Sequence, residues 1–131
     1  ELEQLIQTLR LQDRVTLVGE VEDVQAEFAG TDIFALASRY EGYGMVFAEA
    51  LAHGLPIVGC AAGAVPEVVP ATAGILVAPN SPEEFAAALR RLLDEPTTRK
   101  AMAVGAARAG AALPSWRDTA AIIAQFLESK A

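Results

Sequence analysis

One cysteine and one histidine stand among the 131 residues. A zinc site takes about four such ligands and a disulfide takes two thiols, so neither can be assembled inside this chain. A lone thiol is at home in a reducing compartment. Positive charge is also scarce, with ten Lys and Arg against 17 Asp and Glu and a formal net charge of −7. The basic residues nowhere cluster, and nucleic acid or an anionic membrane surface requires a basic face that releases counterions, so both partners are excluded. No charge-free apolar run approaches the roughly 20 residues that span a bilayer. The opening stretch ELEQLIQTLRLQDR is charged and amphipathic, unlike a secretory signal. It begins without Met, as expected of a piece of a longer protein, and a cytoplasmic location follows, or the cytosolic face of a membrane for the longer protein.

What is present is an apolar chain, 53% hydrophobic, of a length that suits a single domain over residues 1–131. Short strand-like runs alternate with longer helix-like stretches, the pattern of a Rossmann-like parallel sheet flanked by helices, so the class is α/β. Leu2, Leu5, Ile6 and Leu9 share a helical face, and Val15–Val18 reads as a strand. Residues 24–28 read as a short helix ended by Gly30, and Ile33–Ala37 as a strand buried on both faces, which would complete one βαβ unit. Met45–His53 reads as a helix stopped by Gly54, followed by strands over Leu55–Val58 and Gly74–Ala78. Ser81-Pro82-Glu83-Glu84 has the form of a capping box with Pro in the first turn, and Phe85, Leu89, Leu92 and Leu93 would line the inner face of its helix. The last helices fill residues from about 97 to 131. Thr97–Leu113 is Ala-rich with Arg99, Lys100 and Arg108 outside, and Ser115 caps a final helix with Trp116, Ala120, Ile123 and Leu127 inward.

In open parallel sheets ligands sit beyond the carboxyl ends of strands, which directs attention to the loops after Ala37, Val58 and Ala78. The first reads Ser38-Arg39-Tyr40-Glu41-Gly42-Tyr43-Gly44 and enters a helix at Met45. Its glycines allow close backbone approach, and the helix start offers unpaired N–H groups and a positive dipole end, which suits a phosphate. The dinucleotide fingerprint fails because Phe47 stands where a third Gly is needed, and no P-loop motif occurs. Carboxylates repel phosphate but accept hydrogen bonds from vicinal hydroxyls, so Glu41 and Glu49 beside a phosphate-binding helix mouth point to a sugar nucleotide. Glu49 in particular lies on a helix whose neighbours Phe47, Ala48, Ala50, Leu51 and Ala52 are apolar, and a charge there asks for a reason. Taken alone, Glu41 reads as a solvated loop carboxylate, and Arg39 divides between a surface ion pair and a diphosphate partner; plainer roles suit the other residues. Glu67 braces its loop, His53 ends its helix at the negative dipole end, Cys60 packs without a base beside it, and Trp116 and Phe126 belong to the core.

The segment ASRYEGYGMVFAEALAHGLPIVGCAAGAVPEVV, residues 37–69, closely resembles the donor-site segment of retaining glycosyltransferases of family 4, which have the two-domain GT-B fold. The likeness rests on S-R-Y-E-G-Y-G, the E-x7-E pair Glu41 and Glu49, E-A-L-A-H-G-L-P-I-V and A-G-A-V-P-E-V-V, and it extends in layout over essentially the whole chain. It implies the C-terminal, donor-binding half of a hexosyltransferase that uses a UDP-, GDP- or ADP-sugar, with no cofactor and no divalent metal; the chain contains no D-x-D motif. Glu41 would be the catalytic carboxylate that contacts the sugar, and Glu49 would bind the ribose. Gly42, Tyr43, Gly44 and Met45 would hold sugar and diphosphate, with Arg39 the nearby cation. Gly63-Ala64 stands where such enzymes more often carry Gly-Gly. The resemblance also implies that an acceptor domain and the first two βα units are missing. The acceptor, a sugar, a lipid or a small molecule, would then be held elsewhere, the isolated chain would not turn over, and an open sheet edge would favour a homodimer or swapped assembly. The rival expectation is a non-catalytic Rossmann-like module that binds a nucleotide or a protein partner.

Overall fold

The computed structural model describes residues 1–42 and 44–129. Seven helices and three strands follow one another along them: α1 (Leu2–Thr8), α2 (Val24–Ala29), β1 (Phe34–Leu36), α3 (Met45–Ala52), β2 (Ile57–Cys60), α4 (Val65–Val68), β3 (Gly74–Val77), α5 (Pro82–Asp94), α6 (Pro96–Ala112) and α7 (Trp116–Glu128). The strands form one parallel sheet in the order β1-β2-β3, with Phe34 opposite Ile57 and Ile57 opposite Gly74. The α/β class is as expected.

Side chains of successive strand residues point to opposite faces, and β2 shows what this achieves. Ile57 enters a core with Phe47, Leu51, Val65 and Ala106, against α3, α4 and α6. Val58, one residue on, packs with Ala88 and Leu92 of α5 on the other face. The central strand is therefore buried along its whole length. Phe34 links the strand layer to both neighbouring helices, its ring 5.8 Å from Phe28 and edge-on to Phe47 at 5.6 Å. His53 closes α3 as expected, with a stacked contact to Phe28 and a 2.6 Å hydrogen bond between Nε2 and Gln25 Oε1.

Several sequence expectations are corrected. Val15–Val18 is not a strand, so the first βαβ unit is absent and the sheet has three strands. A strand exists only with a partner's ladder, and among the described residues β1 pairs with β2 alone. β1 itself is shorter than read and only half-buried, with Ala35 exposed. The second strand begins at Ile57, two residues later than read, because Pro56 lacks an N–H for the ladder; its carbonyl still accepts from Phe34 N–H at 2.9 Å. Residues 65–68, read as loop, form α4. Ser81 is the N-cap of α5 but makes no side-chain cap bond, and Leu93 faces solvent at 58% exposure while Leu92 is buried.

Arg99 does not stand free on the outside. Its Nη1 donates to the carbonyls of Leu92 at 2.8 Å and Leu93 at 3.2 Å, capping the end of α5. The turn between α5 and α6 is braced at Glu95, whose carboxyl is held below the usual range first by the Thr98 hydroxyl and then by Arg91. Ser115 does cap α7, in a reciprocal box with Asp118 that holds this carboxyl below its ordinary range. The inward face expected for α7 is not buried: Trp116 is 82% exposed, and Ala120, Ile123, Phe126 and Leu127 are exposed with it. The same holds for Leu2 and Leu5 on α1 and for Leu9, its C-cap. Periodicity sets which face is apolar, but it does not set how deeply that face is buried, and these side chains stay largely exposed. No helix of the described residues is long and apolar enough to cross a membrane.

Candidate functional site at the carboxyl edge of the sheet

The three strands end side by side, and the residues after them meet. Ala37, Ser38 and Arg39 after β1, Cys60 at the end of β2, and Asn80, Ser81 and Pro82 after β3 line a cavity of about 200 Å³ floored by Phe85. The loops singled out from the sequence are thus neighbours in space, and Cys60 is a buried wall residue, as expected. Arg39 is exposed at this rim and forms no ion pair among the described residues, where Arg91–Glu95 is the one pair.

Glu41 is half-buried and held at two points. Ser38 Oγ donates to its Oε1 at 2.8 Å, and Ala64 N–H donates to its carbonyl oxygen at 3.2 Å. This second bond joins two loops 23 positions apart and depends on Gly63. With φ at +57°, Gly63 lies so close to Glu41 that a Cβ would stand 1.9 Å from the Glu41 carbonyl oxygen. The missing side chain is what lets the loop after β2 rest on the loop after β1. Gly63 and Ala64, named from the sequence, are therefore placed against Glu41. Gly42 is exposed, with open space where a Cβ would be. Tyr43 lies outside the described residues.

α3 starts directly from this loop. Gly44, in the left-handed conformation at φ +70°, is its N-cap, and its carbonyl accepts from Phe47 N–H at 2.9 Å and Ala48 N–H at 3.3 Å. No acidic residue lies in the first turn of α3, whereas α5 carries Glu83 and Glu84 there. α4, which starts after β2, carries Glu67 in its first turn, so of the three helix starts that follow the strands α3 is the one with no carboxylate competing for an anion at its positive dipole end. Met45 is exposed at its first position. Glu49, half-buried one turn into the helix, lines a separate groove of about 710 Å³ between α3 and the start of α7, with Met45, Ala48, Leu113 and Trp116. That volume falls in the range of small-molecule sites. The two carboxylates are not brought to one cavity: Glu41 sits between the loops, and Glu49 faces the groove. Sequence reasoning missed Ser38, although S-x-x-E is the spacing at which a hydroxyl reaches a carboxylate across one turn of chain.

Residues 1–95 match the family model "Glycosyl transferases group 1". The chain belongs to this family. Its homologues are GT-B glycosyltransferases, as the sequence motifs implied. A curated relative is the MMP alpha-(1->4)-mannosyltransferase of Mycolicibacterium hassiacum, 36% identical over 76% of this chain and 25% of that protein. Among solved structures, HepE of Anabaena in complex with UDP superposes with a TM-score of 0.90 at 28% identity, over 98% of this chain and 36% of that one. The C-terminal domain of a group 1 family glycosyl transferase of Francisella tularensis matches over 82% of this chain and 57% of that one, with a TM-score of 0.74 and 28% identity. The chain spans about a quarter of the Mycolicibacterium relative's length.

Proposed function

We propose that this chain is the donor-binding part of a retaining glycosyltransferase that moves a hexose from a nucleoside-diphosphate sugar to an acceptor held outside the chain. The observation that carries the reading is Glu41, fixed by the loop after β2 at the mouth of a helix whose first turn has no acidic residue. An anion and a polyhydroxyl group can be bound side by side there. The diphosphate meets the N–H groups and positive end of α3, with Arg39 as the cation nearest in sequence. Glu41 accepts from sugar hydroxyls, and Glu49 in its largely apolar groove accepts from the ribose.

Catalysis on this reading is electrostatic. As the bond between the anomeric carbon and the leaving phosphate oxygen lengthens, negative charge builds on the diphosphate, and the fixed dipoles of α3 and the Arg39 guanidinium stabilise it. Glu41 orients the sugar and faces the positive charge developing on its ring. No side chain serves as nucleophile and no metal is assigned. The names of similar proteins support a nucleotide-sugar donor, since HepE is known in complex with UDP-glucose and the Mycolicibacterium relative is a mannosyltransferase.

Calorimetric titration of the chain with UDP-glucose, GDP-mannose, UDP and GDP tests this, with Glu49→Gln as control. Saturable binding of one nucleotide series, weakened in Glu49→Gln, is the expected result. Absence of binding by every ligand to a folded chain would reject it. A second expectation is that the chain binds its donor yet releases no free nucleotide when offered acceptors, because the acceptor side of the cleft lies outside it.

A further inference from the structure

The donor reading gives Glu41 a task, and the structure shows what would keep its carboxylate ready for it. A glutamate in a loop ordinarily exchanges among many rotamers, and a ligand that needs one of them must restrict the side chain on binding. Here the restriction exists beforehand. Ser38 is half-buried two residues past β1, and its hydroxyl donates to Glu41 Oε1 at 2.8 Å in a partly buried setting. The backbone of Glu41 is fixed independently through its carbonyl by Ala64 N–H, so the Ser38 contact governs the side chain alone. Among the described residues Oε2 has no hydrogen-bond partner.

We infer that Ser38 is a positioning residue: its hydroxyl occupies Oε1 and fixes the carboxylate, leaving Oε2 to accept from a hydroxyl of the donor sugar. The inference rests on the donor reading proposed above and adds a selectivity to it. Because Ser38 acts through the group that meets the sugar, its loss falls on the sugar half of the donor and spares the nucleotide half. A residue that merely stabilised the loop would affect both.

The experiment compares UDP-glucose with UDP, and GDP-mannose with GDP, by titration of the chain carrying Ser38→Ala or Ser38→Thr. Loss of one hydrogen bond of this kind predicts about two- to tenfold weaker binding of the nucleotide sugar in Ser38→Ala, with the free nucleotide unchanged. Ser38→Thr, which keeps the hydroxyl, restores the affinity. In a Glu41→Ala background Ser38→Ala has no further effect, since the hydroxyl then has nothing to position. If Ser38→Ala does not fold, Ser38→Cys, similar in size but a weak donor, carries the same comparison. Unchanged affinity for the sugar nucleotide, equal losses for sugar nucleotide and nucleotide, or effects that simply add in the double variant would each overturn the inference while leaving the donor reading standing. A wild-type chain that binds none of the four ligands would overturn both.

Discussion

Replacing Gly63 by alanine acts on the joint between the two loops of the site. At φ +57° an alanine pays about 1–2 kcal/mol for the left-handed conformation. Its Cβ would stand 1.9 Å from the Glu41 carbonyl oxygen, where ordinary contact begins near 3.4 Å, so the loops must separate by more than an ångström. That movement removes the bond from Ala64 N–H to Glu41, worth about 0.5–1.5 kcal/mol net. The expected destabilisation is about 2–3 kcal/mol, which at a urea m-value of ~2 kcal/mol/M lowers the unfolding midpoint by about 1–1.5 M. The internal control is Gly42→Ala, in the same site but with nothing within 4 Å of the new Cβ. There the loss of unfolded-state freedom predicts a neutral or slightly stabilising effect, up to about 1 kcal/mol. Urea unfolding followed by circular dichroism reads both variants. A Gly63→Ala chain as stable as wild type, or a Gly42→Ala chain destabilised to the same degree, would refute the claim that this contact holds the loops together.

Helix α6 offers a test in which local propensity and packing have opposite signs. Alanine is favoured over glycine inside a helix by about 1 kcal/mol, yet a Cβ at Gly110 would lie 2.4 Å from the Leu51 carbonyl oxygen and one at Gly105 2.0 Å from that of Thr72. Gly110→Ala and Gly105→Ala are each expected to destabilise by about 1–3 kcal/mol through overpacking, measured by the same unfolding assay, and a gain in stability would contradict the close seat of α6 on α3 for Gly110 and on the turn at Thr72 for Gly105. Acid stability gives a further test. The carboxyls of Glu95 and Asp118 are held below their ordinary range in the folded chain, so each contributes stability that is present above its unfolded-state value and lost as pH falls through its lowered folded-state value. The slope of melting temperature against pH on the acid side is expected to flatten in Glu95→Gln and in Asp118→Asn, and an unchanged slope would show that these contacts do not persist in solution.

How much of this was legible in the residues depended on whether the deciding contact was local. Helix α3, its glycine entry and its stop near His53 are set within ten residues, and the sequence reading matches the structure there. The Ser115 cap of α7 is equally local and is present, with Asp118 as its partner. Ser81 shows the limit of the same rule, for the S-x-x-E spacing is there but the side-chain bond is not. Residues 15–18 have the composition of a strand and lack a neighbour to pair with, which no local pattern reports. The apolar stripe of α7 was correctly seen as a stripe, but a stripe does not say what will lie against it, and Trp116 is exposed.

For the site, the loops to inspect followed from the alternation of strands and helices alone, and they do meet at one edge of the sheet. Gly63 and Ala64 are marked in the sequence only through the family likeness, as donor neighbours, and their contact with Glu41 joins positions too distant for any local pattern to report. Ser38 was overlooked for a different reason. Glycines and carboxylates announce themselves as ligand groups, while a neutral hydroxyl that acts on one of them carries no compositional signal.

The central claim is that a nucleoside-diphosphate sugar binds where α3 begins, between the loops that carry Glu41 and Gly63. Amide-resolved NMR of the isotope-labelled chain during titration with UDP-glucose and with GDP-mannose tests it most directly. Saturable shifts concentrated at Gly42, Gly44, Met45, Gly63 and Ala64, diminished in Glu49→Gln, are the predicted result. A folded chain whose amides at these positions stay unmoved by either ligand, or whose shifts are confined to α5 and β3, would contradict it.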